Sequence, residues 1–303
     1  MRRTMTMTMT VTTALLLIGA APAPREYVVP ADGVVAARLN GVGLRLRIDP
    51  GTTAMPLVTD EIATRAQVKS GMFGTLYGVG PVHIAGKTGV AKLDLAGTIL
   101  KRRISFAPKA YAEGFDGVMG PGGLEAPVIR FALRPSIPGE RTVALPMVDQ
   151  GGLMAGWAER FALIEVGGQP LRVRFDPHHP RTLATAGAAV RLASAFDGTI
   201  SGVAGQQEIA FGIKRPIRTL TLARALGVGP LSLHTLGVRT MDNGNASDIA
   251  EAGTKADPNE IVVTAKGKHD PNRDRLSLGA DTLAHCSSIV FDKPARAIRL
   301  TCA

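Results

Sequence analysis

Aromatic residues are scarce in this sequence: nine Phe, three Tyr and one Trp make up 4% of its 303 residues. Proteins that bind single-stranded nucleic acid stack bases on aromatic side chains set beside cationic ones. The formal charge is +10, but the densest basic run, Lys101-Arg102-Arg103, lacks an accompanying set of aromatic stacking residues. The sequence therefore argues against nucleic acid as a partner, and we interpret the run as a solvated hairpin tip.

Several catalytic signatures are also missing. The chain contains no Gly-x-Ser-x-Gly motif for a serine hydrolase and no Gly-x-x-x-x-Gly-Lys-Ser/Thr loop for nucleotide hydrolysis. Asp176, His178 and His179 invite a metal hypothesis, but no further His or Cys stands at a typical ligand spacing. We therefore expect neither a metal nor a cofactor.

Long apolar runs are confined to the N-terminus. Arg2 and Arg3 precede the run Val11–Ala21, and small residues follow it. The run is too short to span a bilayer, and this order is typical of a secretory signal peptide. We predict a signal peptide over residues 1–23, a periplasmic or secreted location, and no membrane span once the peptide is removed.

Only two cysteines occur, Cys286 and Cys302. Export would place them in an oxidising compartment, where such a pair is expected to form a disulfide.

Gly and Pro, in contrast, are abundant, with 35 and 20 residues, and hydrophobic residues make up 45% of the chain. This balance predicts a packed core built from short strands joined by turns. The most informative feature is a repeat: Leu44–Pro50 recurs as Leu171–Pro177 with the same residue at five of seven positions. The repeat predicts two lobes, 24–150 and 151–303, connected through Ile129–Gln150.

Both copies are followed, at a distance, by an apolar segment that ends in Gly: Val118-Met119-Gly120 and Ser277-Leu278-Gly279. In this order and duplication, the chain resembles the pepsin and retropepsin superfamily of aspartic proteases. The resemblance implies a mostly β, bilobal double barrel with an internal two-fold repeat. Its closing hairpin would be formed by residues 288–292 and 296–300.

The resemblance also implies a site. Asp49 and Asp176 would form a dyad that shares one proton and activates water for peptide-bond hydrolysis of a peptide or protein substrate. Gly51 and His178 stand two residues after these aspartates, in the loops expected to face the substrate. Tyr77-Gly78 is the candidate for a flap over the substrate, and Ala85–Lys87 is an alternative tip.

Both loops depart from the family pattern. Pro50 and Pro177 stand where a Thr or Ser hydroxyl is expected, and proline offers neither that hydroxyl nor an N–H donor. Two interpretations therefore remain open: an exported aspartic-type endopeptidase, or a catalytically inactive module of the same fold that binds peptides or an envelope protein partner. The sequence gives no basis for an oligomeric state.

One further segment, Glu260–Ala265, is interpreted as an internal strand that follows a polar loop over 242–257. Its alternative role is a strand that pairs with the sheet edge of a partner protein.

Overall fold

The structure is a computed structural model that describes residues 26–149, 157–240 and 271–303. The predicted signal peptide, the polar loop over 242–257 and the strand over 260–265 lie outside the described residues. The protein is 57% strand and 12% helix, which confirms the mostly β class. In the three described ranges, no helix has the length and hydrophobicity needed to cross a membrane.

The strands formed by the described residues are, in chain order, β1 (Glu26–Val29), β2 (Val34–Leu39), β3 (Val42–Ile48), β4 (Leu57–Thr59), β5 (Gly74–Val79), β6 (Val82–Leu95), β7 (Thr98–Ala107), β8 (Gly117–Met119), β9 (Val128–Ala132), β10 (Arg141–Asp149), β11 (Arg160–Val166), β12 (Gln169–Phe175), β13 (Leu183–Ala184), β14 (Gly198–Ala210), β15 (Ile213–Val228), β16 (Leu231–Arg239), β17 (Arg275–Leu278), β18 (Cys286–Asp292) and β19 (Ala297–Cys302). The helices are α1 (Asp60–Arg65), α2 (Ala186–Phe196) and α3 (Ala280–Leu283), and short 3₁₀ turns cover Pro121–Gly123 and Pro271–Arg273.

The two repeat copies form β3 and β12, each the second strand of a hairpin. Asn40 and Gly41, both with positive φ (47° and 89°), turn the chain from β2 into β3. Gly167 and Gly168 (59° and 72°) do the same between β11 and β12. Two consecutive residues with positive φ match the right-handed twist of the flanking strands, so these turns set the register of each hairpin.

The smaller sheet has seven strands in the order β2-β3-β8-β4-β7-β6-β5. A further pairing of β2 with β6 closes the first six strands into a barrel. β5 pairs only with β6 among the described strands and is therefore an edge strand.

The larger sheet has twelve strands, in the order β1-β9-β18-β19-β10-β11-β12-β17-β13-β16-β15-β14. Its last seven strands follow the same order as the smaller sheet, and the corresponding neighbours run in the same parallel or antiparallel sense. They do not close, because β11 pairs with β10 and β12, whereas its counterpart β2 pairs with β6. The described strands thus form one closed barrel, and the predicted second barrel is not observed.

The predicted connection between the lobes, Ile129–Gln150, includes most of β9 and all of β10. β9 lies between β1 and β18, and β10 lies between β19 and β11. Strands from the middle and the end of the chain therefore form one continuous sheet. The predicted disulfide between Cys286 and Cys302 is present and joins β18 to β19.

Four fully buried phenylalanines, one each on β9, β11, β12 and β18, pack in the core from the larger sheet. Phe175, the last residue of β12, contacts Phe291 edge-on, and Phe291 contacts Phe131 in the same way. Burying a side chain of this size contributes about 1.5–3 kcal/mol. Because Phe175 directly precedes Asp176, this packing fixes the start of the second repeat's loop.

Candidate functional site

Asp49 follows β3 and is held by backbone contacts. Its N–H donates to the Met119 carbonyl of β8 at 2.9 Å, and its Oδ1 accepts from the Gly51 N–H at 2.8 Å. Thr52 donates its N–H and its hydroxyl to the Asp49 carbonyl, at 3.2 and 3.1 Å. The residue is only 2% exposed, so its carboxylate is withdrawn from solvent.

A guanidinium and an imidazole approach the other carboxylate oxygen of Asp49. Arg47 Nη2 lies 3.7 Å and His178 Nδ1 3.5 Å from Oδ2. Burial alone raises the pKa of a carboxyl group, but His178, Arg47 and the Gly51 N–H together lower the pKa of Asp49 below its ordinary value. Asp49 is therefore held as a carboxylate.

Asp176 follows β12 and has the corresponding backbone anchor, since its N–H donates to the Leu278 carbonyl of β17 at 2.8 Å. Its Oδ2 accepts from Arg174 Nη2 at 3.0 Å, and Arg174 Nε donates to the Ser277 hydroxyl at 3.1 Å. Burial and the negative charge of Asp49 raise the pKa of Asp176, against the opposing effect of Arg174. The two aspartates are thus close enough to influence each other, but their pKa values shift in opposite directions.

The two loops are in direct contact. A Cβ added at Gly51 would lie 2.8 Å from the Phe175 carbonyl oxygen, so only glycine fits against the end of β12. From the other loop, His178 lies against Gly33 as well as Asp49, and neither of its ring nitrogens has a hydrogen-bond partner among the described residues. The fold thus brings together Asp49, Gly51, Asp176 and His178.

The arginines of the repeat are part of this site, and they were missed as site residues in the sequence. Side chains at i and i+2 of a strand point to the same face, so Arg-x-Asp places a guanidinium beside each carboxylate. Arg47 and Arg174 occupy these positions in both copies. The Arg-x-Asp spacing was therefore visible in the sequence. The sequence alone did not distinguish Arg47 and Arg174 from the neighbouring arginines that face solvent.

The tips of two hairpins meet near the two Asp-Pro loops. Tyr77 and Gly78 lie on β5, and the hairpin turns at Gly80-Pro81. The alternative flap tip at Ala85–Lys87 is wrong, because these residues lie within β6 and pair with β5. A second hairpin, β14–β15, turns at Phe211 and was not predicted.

Aromatic contacts join the hairpin tips. The rings of Tyr77 and Phe211 are 5.5 Å apart, and those of Tyr111 and Phe211 are 5.2 Å apart. The Phe211 N–H donates to the Tyr111 carbonyl at 2.9 Å. Together these contacts hold the β14–β15 tip against the first half of the chain.

A cavity of about 480 Å³ lies beneath the hairpins, within the size range of small-ligand sites. One wall is aromatic: Phe73, Tyr77, Tyr111, Trp157 and Phe211. Four arginines also line the cavity: Arg103, Arg174, Arg239 and Arg275. A second cavity of about 40 Å³ shares three of these arginines and is lined by Asp176, whereas Asp49 lines neither cavity.

The basic run Lys101-Arg102-Arg103 is not a hairpin tip, as the sequence suggested, but lies within β7. The turn before it is at Ala96-Gly97, where both residues have positive φ. Arg103 faces the cavity, donates to the Thr88 hydroxyl at 3.0 Å and lies over the rings of Phe73 and Trp157.

The two histidines of the second loop have different partners. His179 Nδ1 lies 2.8 Å from the Arg181 carbonyl oxygen and Nε2 lies 3.0 Å from that of Glu208, whereas His178 contacts Asp49. Within residues 26–149, 157–240 and 271–303, no group of three His, Cys, Asp or Glu residues is arranged to hold a metal ion.

These features define a mostly β protein with one closed barrel and two contacting Asp-Pro loops. No protein-family model and no curated protein matches the chain. Of 279 matching chains of solved structures, one is EIAV protease complexed with an inhibitor. It is 14% identical, with 35% of this chain and 88% of the protease chain covered and a TM-score of 0.24. This is a weak similarity to a retroviral protease and supports no narrower family.

Proposed function

We propose that this chain is an exported, catalytically inactive module of the aspartic-protease type that binds peptides beneath its two hairpins. Its lobes would be residues 24–150 and 151–303, and the matching strand order of the two halves supports this division. The proposal rests on one observation: each aspartate is paired with its own arginine, at 3.7 Å for Arg47–Asp49 and 3.0 Å for Arg174–Asp176.

A proton-sharing dyad needs two carboxylates whose mutual repulsion keeps one of them protonated beside an accessible water. A guanidinium beside each carboxylate opposes that repulsion, although burial and the charge of Asp49 still raise the pKa of Asp176. His178 also covers Asp49, which is 2% exposed and lines neither cavity. The arrangement suits an internal brace between the two loops better than it suits a reaction centre.

Peptide binding is supported by the edge strand β5. Residues 73–79 all line the cavity, and β5 pairs on one side only among the described strands. An extended peptide can hydrogen-bond to the free backbone groups of such an edge, while its side chains enter adjacent pockets. The aromatic wall supplies apolar surface for those side chains.

A second candidate is an aspartic-type endopeptidase that uses Asp49 and Asp176, with Gly51, His178, Tyr77 and Gly78 around the substrate. One observation favours it: the pKa of Asp49 is lowered and that of Asp176 is raised. A carboxylate base beside a protonated acid is the pattern of two carboxyl groups with separate catalytic roles.

Proteolysis of an unfolded protein between pH 3 and pH 7.5 separates the two candidates. The wild type, Asp49→Asn, Asp176→Asn and the exposed control Glu61→Gln should all show only background cleavage if the module is inactive. Cleavage by the wild type and Glu61→Gln that is lost in both Asn variants would establish the peptidase. Binding of unfolded peptides is measured on the same proteins through the fluorescence of Trp157, the only tryptophan of the chain and a cavity residue.

A further inference from the structure

The arginines that line the cavity come from both halves of the chain. Arg103 comes from β7 of the barrel, Arg174 from β12 and Arg275 from β17, and all three line the same cavity. Local sequence does not group these residues, because 71 and 101 positions separate them along the chain. The fold alone places all three around one cavity.

The nearby carboxylates form ion pairs with only two of these three arginines. Glu159 pairs with Arg275 at 3.3 Å, and Asp176 pairs with Arg174 at 3.0 Å. Arg103 makes no salt bridge with any residue in the described ranges; its contacts there are the Thr88 hydroxyl and two aromatic rings. One guanidinium therefore faces the cavity without an anionic partner from the described chain.

Arg275 also lies in an excess of positive charge. Burial lowers the pKa of Arg275, and the charges of Arg174, Arg172 and Arg239 lower it further, against the opposing effect of Glu159. Its buried Nε has no hydrogen-bond partner among the described residues. The other arginines that line the cavity therefore add positive potential around it, which a ligand carboxylate would offset.

From this geometry we propose that the cavity selects acidic peptides, with an Asp or Glu carboxylate of the ligand bound by Arg103. The proposal rests on the peptide-binding function proposed above and adds the chemistry of its ligand. A guanidinium offers paired N–H donors that match a carboxylate, which makes arginine well suited to this recognition.

The surroundings of the arginines favour a peptide over a small free anion. Phe73, Leu76 and Trp157 are 61%, 67% and 41% exposed at the cavity, which leaves apolar surface for the residues that flank the acidic one. A free anion would use only the arginines. An extended peptide would also cover this apolar rim and pair with the edge of β5.

The test titrates three capped peptides, Leu-Val-Glu-Val-Leu and its Gln and Lys counterparts, into the full mature chain and follows Trp157 fluorescence. We expect the Glu peptide to bind at least about tenfold more tightly than the Gln peptide, and the Lys peptide more weakly still. Higher salt should reduce this preference because it screens the charges. Acetate at the same concentrations should produce no comparable shift.

The variant Arg103→Gln should weaken binding of the Glu peptide more than binding of the Gln peptide, and so remove most of the preference for Glu over Gln. Arg65→Gln, an exposed residue of α1, changes the net charge equally and should leave the preference intact. Circular dichroism and thermal unfolding of Arg103→Gln check that the variant is folded.

The outcomes separate this inference from the proposed function. Equal binding of the Glu and Gln peptides would overturn the acidic selectivity and leave peptide binding standing. A response to acetate as strong as to the Glu peptide would overturn the peptide as the ligand class. Binding of none of the peptides would overturn both proposals, whereas hydrolysis of the Glu peptide alone would contradict only the inactive character of the module.

Discussion

Asp49 and Asp176 share their sequence neighbours, Arg at −2 and Pro at +1, but not their electrostatic surroundings. His178, from the second copy, lies beside Asp49, whereas the corresponding residue of the first copy is Gly51, which has no side chain to offer Asp176. The asymmetry of one loop position therefore accounts for part of the opposite pKa shifts, since the His178 imidazole lies against Asp49 and the corresponding position beside Asp176 has no side chain.

This asymmetry predicts opposite pH dependences for two substitutions. The lowered pKa of Asp49 contributes stability above the pKa of the unfolded chain, near 3.9, and this contribution is lost as pH falls through the folded-state value. Asp49→Asn should therefore cost about 3 kcal/mol near neutral pH, and less at lower pH. The raised pKa of Asp176 works in the other direction: its contribution to stability decreases as pH rises from about 3.9 through the folded-state value.

Denaturant unfolding between pH 2.5 and pH 7 measures both effects. The stability difference between the wild type and Asp49→Asn should grow with pH below about pH 4, while that for Asp176→Asn should shrink as pH rises above about pH 4. Glu61→Gln, at an exposed site, controls for a general loss of negative charge. Curves of the same slope for both Asn variants would contradict the electrostatic assignment.

Much of the site was readable from the sequence at this scale. The repeat predicted that Asp49 and Asp176 lie at equivalent positions, and the structure places both at strand ends in contacting loops. The partners of the carboxylates were not assigned. The contact of His178 with Asp49 joins residues 129 positions apart, and no local pattern encodes such a pairing.

At the scale of secondary-structure elements, the hairpins with glycine-containing turns were predictable from the sequence, whereas the β14–β15 hairpin was not. Asn40-Gly41 and Gly167-Gly168 mark their turns by residue type alone. The β14–β15 hairpin turns at Phe211-Gly212, where a bulky residue has φ of 58°. Phe211 adopts this uncommon conformation where its ring packs against Tyr77 and Tyr111, so a tertiary contact sets a turn that local propensity does not suggest.

The packing of the first loop against β12 yields a second prediction. In Gly51→Ala the new Cβ would lie 2.8 Å from the Phe175 carbonyl, so the loop or the strand must move. We expect a loss of about 2–3 kcal/mol in the free energy of unfolding, typical of overpacking.

Gly43→Ala is the matched control, because Gly43 lies on β3 and no atom would lie within 4 Å of its new Cβ. Urea unfolding of the three proteins measures the difference. If Gly51→Ala unfolded at the same denaturant concentration as Gly43→Ala, the contact between the loop and β12 would be refuted.

At the scale of the whole molecule, the twelve-stranded sheet couples the stability of the two halves of the chain. β18 and β19, from the end of the chain, lie between β9 and β10 from its middle. The repeat predicted two similar halves, and their strand orders agree. It did not predict this shared part of the sheet, because β9, β10, β18 and β19 lie outside the repeated segments and pair over more than 130 positions.

The disulfide therefore stabilises more than the C-terminal hairpin. Cys286 and Cys302 are fully buried and pair directly across β18 and β19, with 16 positions between them in sequence. Replacing both with Ala should cost about 3 kcal/mol by the loop-closure estimate. For a protein of 303 residues, that loss corresponds to a fall of roughly 5 °C in Tm.

Because both strands have neighbours on each side, loss of the cross-link should lower the stability of the whole twelve-stranded sheet in one cooperative transition. Thermal unfolding of the double variant, followed by far-ultraviolet circular dichroism, should show a single transition at the lower Tm. Reductant should lower the Tm of the wild type to the same value. The double variant should be insensitive to reductant, which controls for other effects of the reagent. A separate early transition with the main one unchanged would mean that β18 and β19 unfold on their own and do not couple the two halves.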